Sequence, residues 1–176
     1  MFFESAYAGV ISLPQASTVA AGVDAVNDFV FGLSVFFTIL IPAVMVIFIL
    51  KYHRSKKGRR TEQIDHSTKL EIIWTVIPLI LMLIIFAWGW DEYKKMRDPG
   101  HNPLEINVIG RQWLWNFQYA NGRTAMNDLV VPVNKPVKLI MTSEDVLHSF
   151  FVPNFRVKQD VVPGMYTTVN FEATQT

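Results

Sequence analysis

The run Gln112-Trp113-Leu114-Trp115-Asn116-Phe117-Gln118-Tyr119 carries an aromatic ring at every second position. On an extended strand, alternate side chains share one face, which puts Trp113, Trp115, Phe117 and Tyr119 in a single stripe. Such a stripe suits the core of a β-sandwich, because aromatic rings dominate buried area. It also suits electron transfer, since indole rings beside a metal shorten the path of an incoming electron. Downstream, Ser143-Glu144-Asp145-Val146-Leu147-His148-Ser149 sets one imidazole beside two acids. A lone histidine more often serves structure, and one imidazole does not hold a metal without partners. His53, His66 and His101 form no cluster with ligand spacing. Glu71 stands just before an apolar run that opens at Ile72. A carboxylate there either snorkels to water or marks a point of proton uptake, because an ionisable group near hydrocarbon is costly to keep. No Ser/His/Asp order, Gly-rich phosphate loop or HExxH helix is present, so hydrolase and nucleotide-binding roles have no support. The absence of cysteine excludes disulfides and thiolate metal ligands within these residues. A net charge of +1 gives no reason to expect nucleic-acid binding.

The elements that must position these groups begin in a membrane. Half of the residues, 51%, are hydrophobic, and two long stretches lack any charge. Phe29–Leu50 has 22 residues, which as a helix spans roughly 33 Å and crosses a bilayer's hydrocarbon core. The second span is read as residues 71–90, its charge-free part being Ile72–Trp90, with Trp74, Trp88 and Trp90 near the ends where indoles favour the lipid–water interface. Pro42 and Pro78 lie inside the spans, which lipid-embedded helices tolerate. The connector, residues 51–70, holds Lys51, Arg54, Lys56, Lys57, Arg59, Arg60 and Lys69, whereas residues 1–28 hold no Lys or Arg. The positive-inside rule places the connector in the cytoplasm or mitochondrial matrix and both flanking segments outside. The N-terminus lacks the basic region of a secretory signal peptide, so the first span acts as its own insertion signal.

From residue 91 onward the outer segment becomes β-rich. Extended runs are read at Leu104–Ile109, Gln112–Tyr119, Leu129–Val133, Val137–Thr142, His148–Val152 and Tyr166–Phe171, with turn signals at Asn121-Gly122, Asn134-Lys135-Pro136 and Pro163-Gly164. Many short strands of this kind predict a sandwich or barrel. The sequence stops just after a strand, and we expect a domain that is incomplete at its C-terminus.

Four motifs in order carry a resemblance. Glu71-Ile72-Ile73-Trp74-Thr75 leads into Pro78; then come Gly110-Arg111-Gln112-Trp113-Leu114-Trp115, Glu144-Asp145-Val146-Leu147-His148-Ser149 and Asp160-Val161-Val162-Pro163-Gly164. Together, behind a two-helix hairpin, they resemble subunit II of haem–copper cytochrome c oxidases from Phe29 to the end. The resemblance implies two transmembrane helices followed by a partial cupredoxin-like β-sandwich on the outer side of a bacterial plasma membrane, or of the mitochondrial inner membrane. It implies a dicopper CuA centre that takes electrons from cytochrome c and passes them to haem in subunit I, where oxygen is reduced and protons are pumped. His148 matches a CuA ligand, Trp113 the first electron-accepting residue, and Glu71 the mouth of a proton channel. Asp145, with Glu144 and Asp128, matches or lies near an acidic patch for cytochrome c docking; Gln118 stands where some relatives carry a docking acid. The remaining ligands of the family come from a later loop, C-x-E-x-C-x-x-x-H-x-x-M, which these residues do not include; soft thiolates are what suit such a copper site. The resemblance also implies partner oxidase subunits packed on the lipid-embedded hairpin. A copper-free subunit II of a quinol oxidase shares the hairpin and sandwich and is the alternative; His148 and the Trp113/Trp115 pair argue against it.

Overall fold

The structure, a computed structural model, describes residues 13–53 and 66–175. Arg54, Lys56, Lys57, Arg59 and Arg60 of the basic connector lie outside the described residues. Among the described residues two helices precede seven strands. Helix α1 spans Ala20–Tyr52 and α2 spans Thr68–Arg97, and both continue through their internal prolines. Both apolar runs lie inside these helices, but the helices are longer than the runs. The first starts at Ala20 because Ala20, Ala21 and Ala25 are strong helix formers. The second continues past Trp90 through a polar turn, where Asp91 pairs with Lys94 at 3.3 Å and with Lys95 at 3.0 Å. These are the spacings at which helix side chains meet, and the cations suit the negative end of the helix dipole.

The chain divides into two compact units, Ala25–Gly89 and the residues up to Asp24 together with Trp90 onward. Within the first, the Phe29 and Trp88 rings meet at 5.8 Å between centroids. Its long apolar side chains, among them Ile39, Leu50, Ile72 and Met82, are exposed. A surface this apolar, on helices this long, belongs in lipid or against a membrane partner.

The second unit is a two-layer β domain. Strands β1 (Leu104–Arg111), β2 (Leu114–Tyr119), β3 (Thr124–Met126), β4 (Pro136–Ser143) and β7 (Thr167–Glu172) form one sheet in the order β3-β2-β1-β4-β7. Strands β1 and β4 are parallel and every other neighbour pair is antiparallel. Strands β5 (His148–Val152) and β6 (Val157–Val161) form a separate hairpin. Ile106, Val108, Val137, Leu139 and Met141 from the large sheet pack with Phe150, Val157 and Val161 from the hairpin. Strand β4 alternates half-buried and buried residues along its whole length, as a strand with one face on a core should.

Two expectations are corrected. The aromatic strand begins at Leu114, not Gln112, because Arg111 and Leu114 pair across a two-residue turn made of Gln112 and Trp113. The run Leu129–Val133 is not a strand. The Val130 N–H and C=O are both taken by the Tyr119 hydroxyl, at 2.9 and 3.0 Å, and Pro132 has no N–H for a ladder. Helix α1 begins at Ala20, ahead of the charge-free run, and the described residues 13–24 group with the β unit. Strand β6 is additional to the extended runs of the sequence, because Val157-Lys158-Gln159-Asp160-Val161 reads as polar; its buried residues are the two terminal valines.

Leu139 is wholly buried at the centre of this core. Leu139→Ala should destabilise the β domain by about 2–5 kcal/mol, the usual range for deleting a buried leucine. Denaturant unfolding of the detergent-solubilised chain, followed by tryptophan fluorescence, measures it.

Candidate functional site

The parallel pairing of β1 with β4 sets the C-terminal ends of both strands side by side, Gly110 opposite Ser143. The loops that leave those ends therefore gather at one edge: the β1–β2 turn with Gln112 and Trp113, and the β4–β5 loop with Glu144 and Asp145 leading to His148. Glu144 N–H donates to the Gly110 carbonyl at 3.1 Å, and the Glu144 and Arg111 side chains form an ion pair across the same gap.

Asp145 ties the two loops together. Its Oδ2 accepts the Gln112 backbone N–H at 2.7 Å, and its Oδ1 accepts the Val146 N–H at 2.7 Å. The same Oδ1 lies 2.7 Å from His148 Nε2. Ser143 shapes the loop from inside: its hydroxyl donates to the Val146 carbonyl at 2.5 Å and accepts the Asp145 N–H at 3.2 Å. The Gln112 N–H above all, then His148 and the Val146 N–H, hold the Asp145 carboxyl well below the usual carboxylate range. The folded state thus favours the ionised acid. Its stabilisation is complete at neutral pH and is lost only as acid carries the pH down through the depressed value.

An ionised carboxylate only accepts, so the proton of this hydrogen bond resides on His148 Nε2, which leaves Nδ1 as the nitrogen able to offer a lone pair. The ring lies against Trp115, with centroids 5.7 Å apart at 65°, and Trp115 in turn meets Phe150 at 5.5 Å. Gly110 makes this stack possible. A Cβ there would sit 3.0 Å from Trp115 Cζ3 and 3.1 Å from His148 Cδ2, so the rings would have to give by a few tenths of an ångström.

Trp113 is 91% exposed at the turn, while Trp115 is half-buried and Phe117 buried. The stripe read from the sequence therefore splits: Phe117, with Trp115 and Tyr119 against it, serves the core, and Trp113 faces solvent. Trp113, Trp115, Arg111, Val146, Leu147 and His148 line an open depression of about 470 Å³. Asp128 is exposed in the loop after β3, and Glu71 is exposed in the first turn of α2. Of the residues singled out by sequence, His148, Asp145, Glu144 and Trp113 come together at this edge, joined by Gly110, Ser143, Arg111 and Trp115. The close approach at Gly110 has a sequence signal, a glycine inside a strand pattern.

Among the described residues no group of three or more His, Cys, Asp or Glu could hold a metal ion. His148 offers one oriented nitrogen, and the sequence has no cysteine. The residues present therefore do not by themselves fit a copper site that needs thiolate ligands.

Comparison with known proteins bears on the whole chain. A family model described as "Cytochrome C oxidase subunit II, transmembrane domain" matches residues 6–89, and one described as "Cytochrome C oxidase subunit II, periplasmic domain" matches residues 123–176. A cytochrome c oxidase subunit 2 of Alkalihalophilus pseudofirmus is 38% identical over 144 residues, covering 77% of this chain and 42% of that protein. A cytochrome bo(3) ubiquinol oxidase subunit 2 of Buchnera aphidicola is 32% identical over 150 residues, covering 78% of this chain and 52% of that protein. A solved periplasmic domain of subunit II of cytochrome oxidase from Bradyrhizobium japonicum aligns with a TM-score of 0.42 at 30% identity, covering 45% of this chain and 70% of that one. The chain spans about 42–65% of the length of the first curated relatives it matches. With two membrane-spanning helices ahead of a two-layer β domain, this membrane chain belongs to the cytochrome c oxidase subunit II family.

Proposed function

We propose that this chain is the anchored part of a cytochrome c oxidase subunit II that accepts electrons from cytochrome c. The observation that carries this reading is the Asp145 carboxylate, which joins the turn bearing an exposed Trp113 to an oriented His148 imidazole. Trp113 is the side chain that meets the donor protein, and His148 would supply one nitrogen to a copper. A dicopper centre would supply a one-electron store, with its cysteine ligands from beyond these residues or from another chain. The β domain lies outside, in the periplasm of a bacterium or its mitochondrial equivalent, and the basic connector lies inside. The helices pack on subunit I, which holds the haem. Glu71, at the inner edge of α2, sits at a proton-uptake channel. Asp128, Glu144 and Asp145 supply negative charge for docking cytochrome c. Of these, Glu144 and Asp145 already hold internal partners, so Asp128 is the acid with most to offer a cationic protein.

A second reading, the copper-free subunit of a quinol oxidase, is favoured by the 32% identity to a ubiquinol oxidase subunit. Copper distinguishes the two. The natural full-length protein, folded and given copper, should show the near-infrared absorption of a mixed-valence dicopper pair, and His148→Ala should abolish it. Folded protein with no such band leaves the quinol reading standing. Trp113→Ala should leave assembly and stability intact, because so exposed a ring contributes little burial, yet slow electron uptake from cytochrome c by about 100-fold or more, as loss of a positioned contact does. Stopped-flow reduction decides it, and an unchanged rate would remove Trp113 from the route. Glu71→Gln should lower steady-state turnover at saturating cytochrome c while leaving the reduction step untouched; equal turnover would make Glu71 merely interfacial.

A further inference from the structure

The β5–β6 hairpin has no backbone ladder to the large sheet, and a two-stranded hairpin alone is marginal in water. Its His148 end is tied to the large sheet through Asp145 and through the bridge between Ser143 and Pro163. Its other end, Pro153–Arg156, lies roughly 13 Å further along the strands. There it meets the segment ahead of α1. Ala16 N–H donates to the Asn154 carbonyl at 2.9 Å, and the Ser17 hydroxyl donates to the Phe155 carbonyl at 2.8 Å. The same segment pairs with the residues just after β7: Ser17 bridges Ala173, Thr18 N–H donates to Glu172 O at 3.2 Å, and Thr174 N–H donates to Ala16 O at 2.9 Å. A short extended strap thus stitches one sheet to the other.

Arg156 sits at the centre of this stitch in the left-handed region, with φ 58° and ψ 27°. Non-glycine residues seldom adopt that conformation, and glycine would meet it at no steric cost. The side chain accounts for the arginine. Its Nε and Nη2 donate to the two Asp24 oxygens at 2.7 and 3.0 Å. Nη1 donates to the Pro153 carbonyl at 2.7 Å, and Nη2 also to the Leu13 carbonyl at 3.0 Å. A planar fork with several donors makes these contacts together; an ammonium does not.

We propose that Arg156 is a positioning residue: by gripping Asp24 of α1 and the Leu13 carbonyl, it fixes the β5–β6 hairpin, and with it His148, from the N-terminal side. The inference rests on the fold and holds whatever His148 binds. The test is hydrogen–deuterium exchange of the full chain in lipid nanodiscs, with Asp24→Asn and Arg156→Gln made singly and together and Asp28→Asn as a control. Each single change should speed exchange of the hairpin amides, residues 148–161, by on the order of tenfold, while β1 and β4 amides stay as they were. The double variant should be no faster than Arg156→Gln, because both changes remove one interaction. Hairpin exchange that ignores Asp24→Asn overturns the proposal. So do additive effects, an equal rise in β1 and β4, or an equal response to Asp28→Asn.

Discussion

A charged acceptor shared by two loops governs the geometry of the site. The Asp145 carboxylate takes the Gln112 N–H on one oxygen and the Val146 N–H and His148 ring on the other. Hydrogen bonds to an ionised group are shorter and stronger than neutral ones. The turn at Gln112-Trp113 and the imidazole therefore cannot drift apart without breaking a charge-assisted contact. The arrangement matters most for Trp113. A ring exposed to 91% has almost no packing to hold it, so its position depends on the backbone beneath it. That backbone is held by Asp145 on one side and by the start of β2 on the other.

The same constraint explains why the loops meet at all. Antiparallel neighbours would place the end of one strand beside the start of the next, but β1 and β4 are parallel, and their C-terminal ends coincide. Two loops distant in sequence then share one edge. Gly110, at that edge, leaves room for the Trp115 and His148 rings to approach, and Ser143, its partner across the ladder, uses its hydroxyl to fold the loop that presents Asp145. Strand direction, one missing Cβ and one hydroxyl together place the imidazole.

Much of this was legible in the residues. Long uncharged runs announce membrane helices because lipid tolerates no unpaired backbone, and the alternation in Val137–Thr142 announces a strand with one buried face. What period two could not show is where the aromatic strand begins. Alternation assigns Trp113 to the core face, but a two-residue turn ends the pattern just after it. Strand β6 was illegible for the opposite reason: a hairpin covering a core needs only Val157 and Val161 buried, and the intervening Lys158 and Asp160 hide the signal. His148 and Asp145 could be singled out as chemically able, yet their contact depends on loop geometry that no spacing rule contains. The strap of Gln15–Thr18 has no periodicity at all, since its bonds are made with Asn154, Phe155 and the end of β7 rather than within itself.

The two compact units answer to different solvents. The hairpin Ala25–Gly89 exposes its apolar side chains, and in lipid these gain nothing from leaving the hydrocarbon; helix association there rests on close contacts such as that of Phe29 with Trp88. The β unit folds in water, where burial of Ile106, Leu139, Met141 and their neighbours is itself the driving force. Its loops need fixed positions, which non-directional burial does not set. That requirement accounts for the polar ties at its edges: the carboxylate of Asp145, the pair Arg111–Glu144 and the strap at Ser17. Hydrophobic burial is non-directional and makes the domain stable; only such directional bonds can set where an exposed indole and an imidazole stand relative to each other.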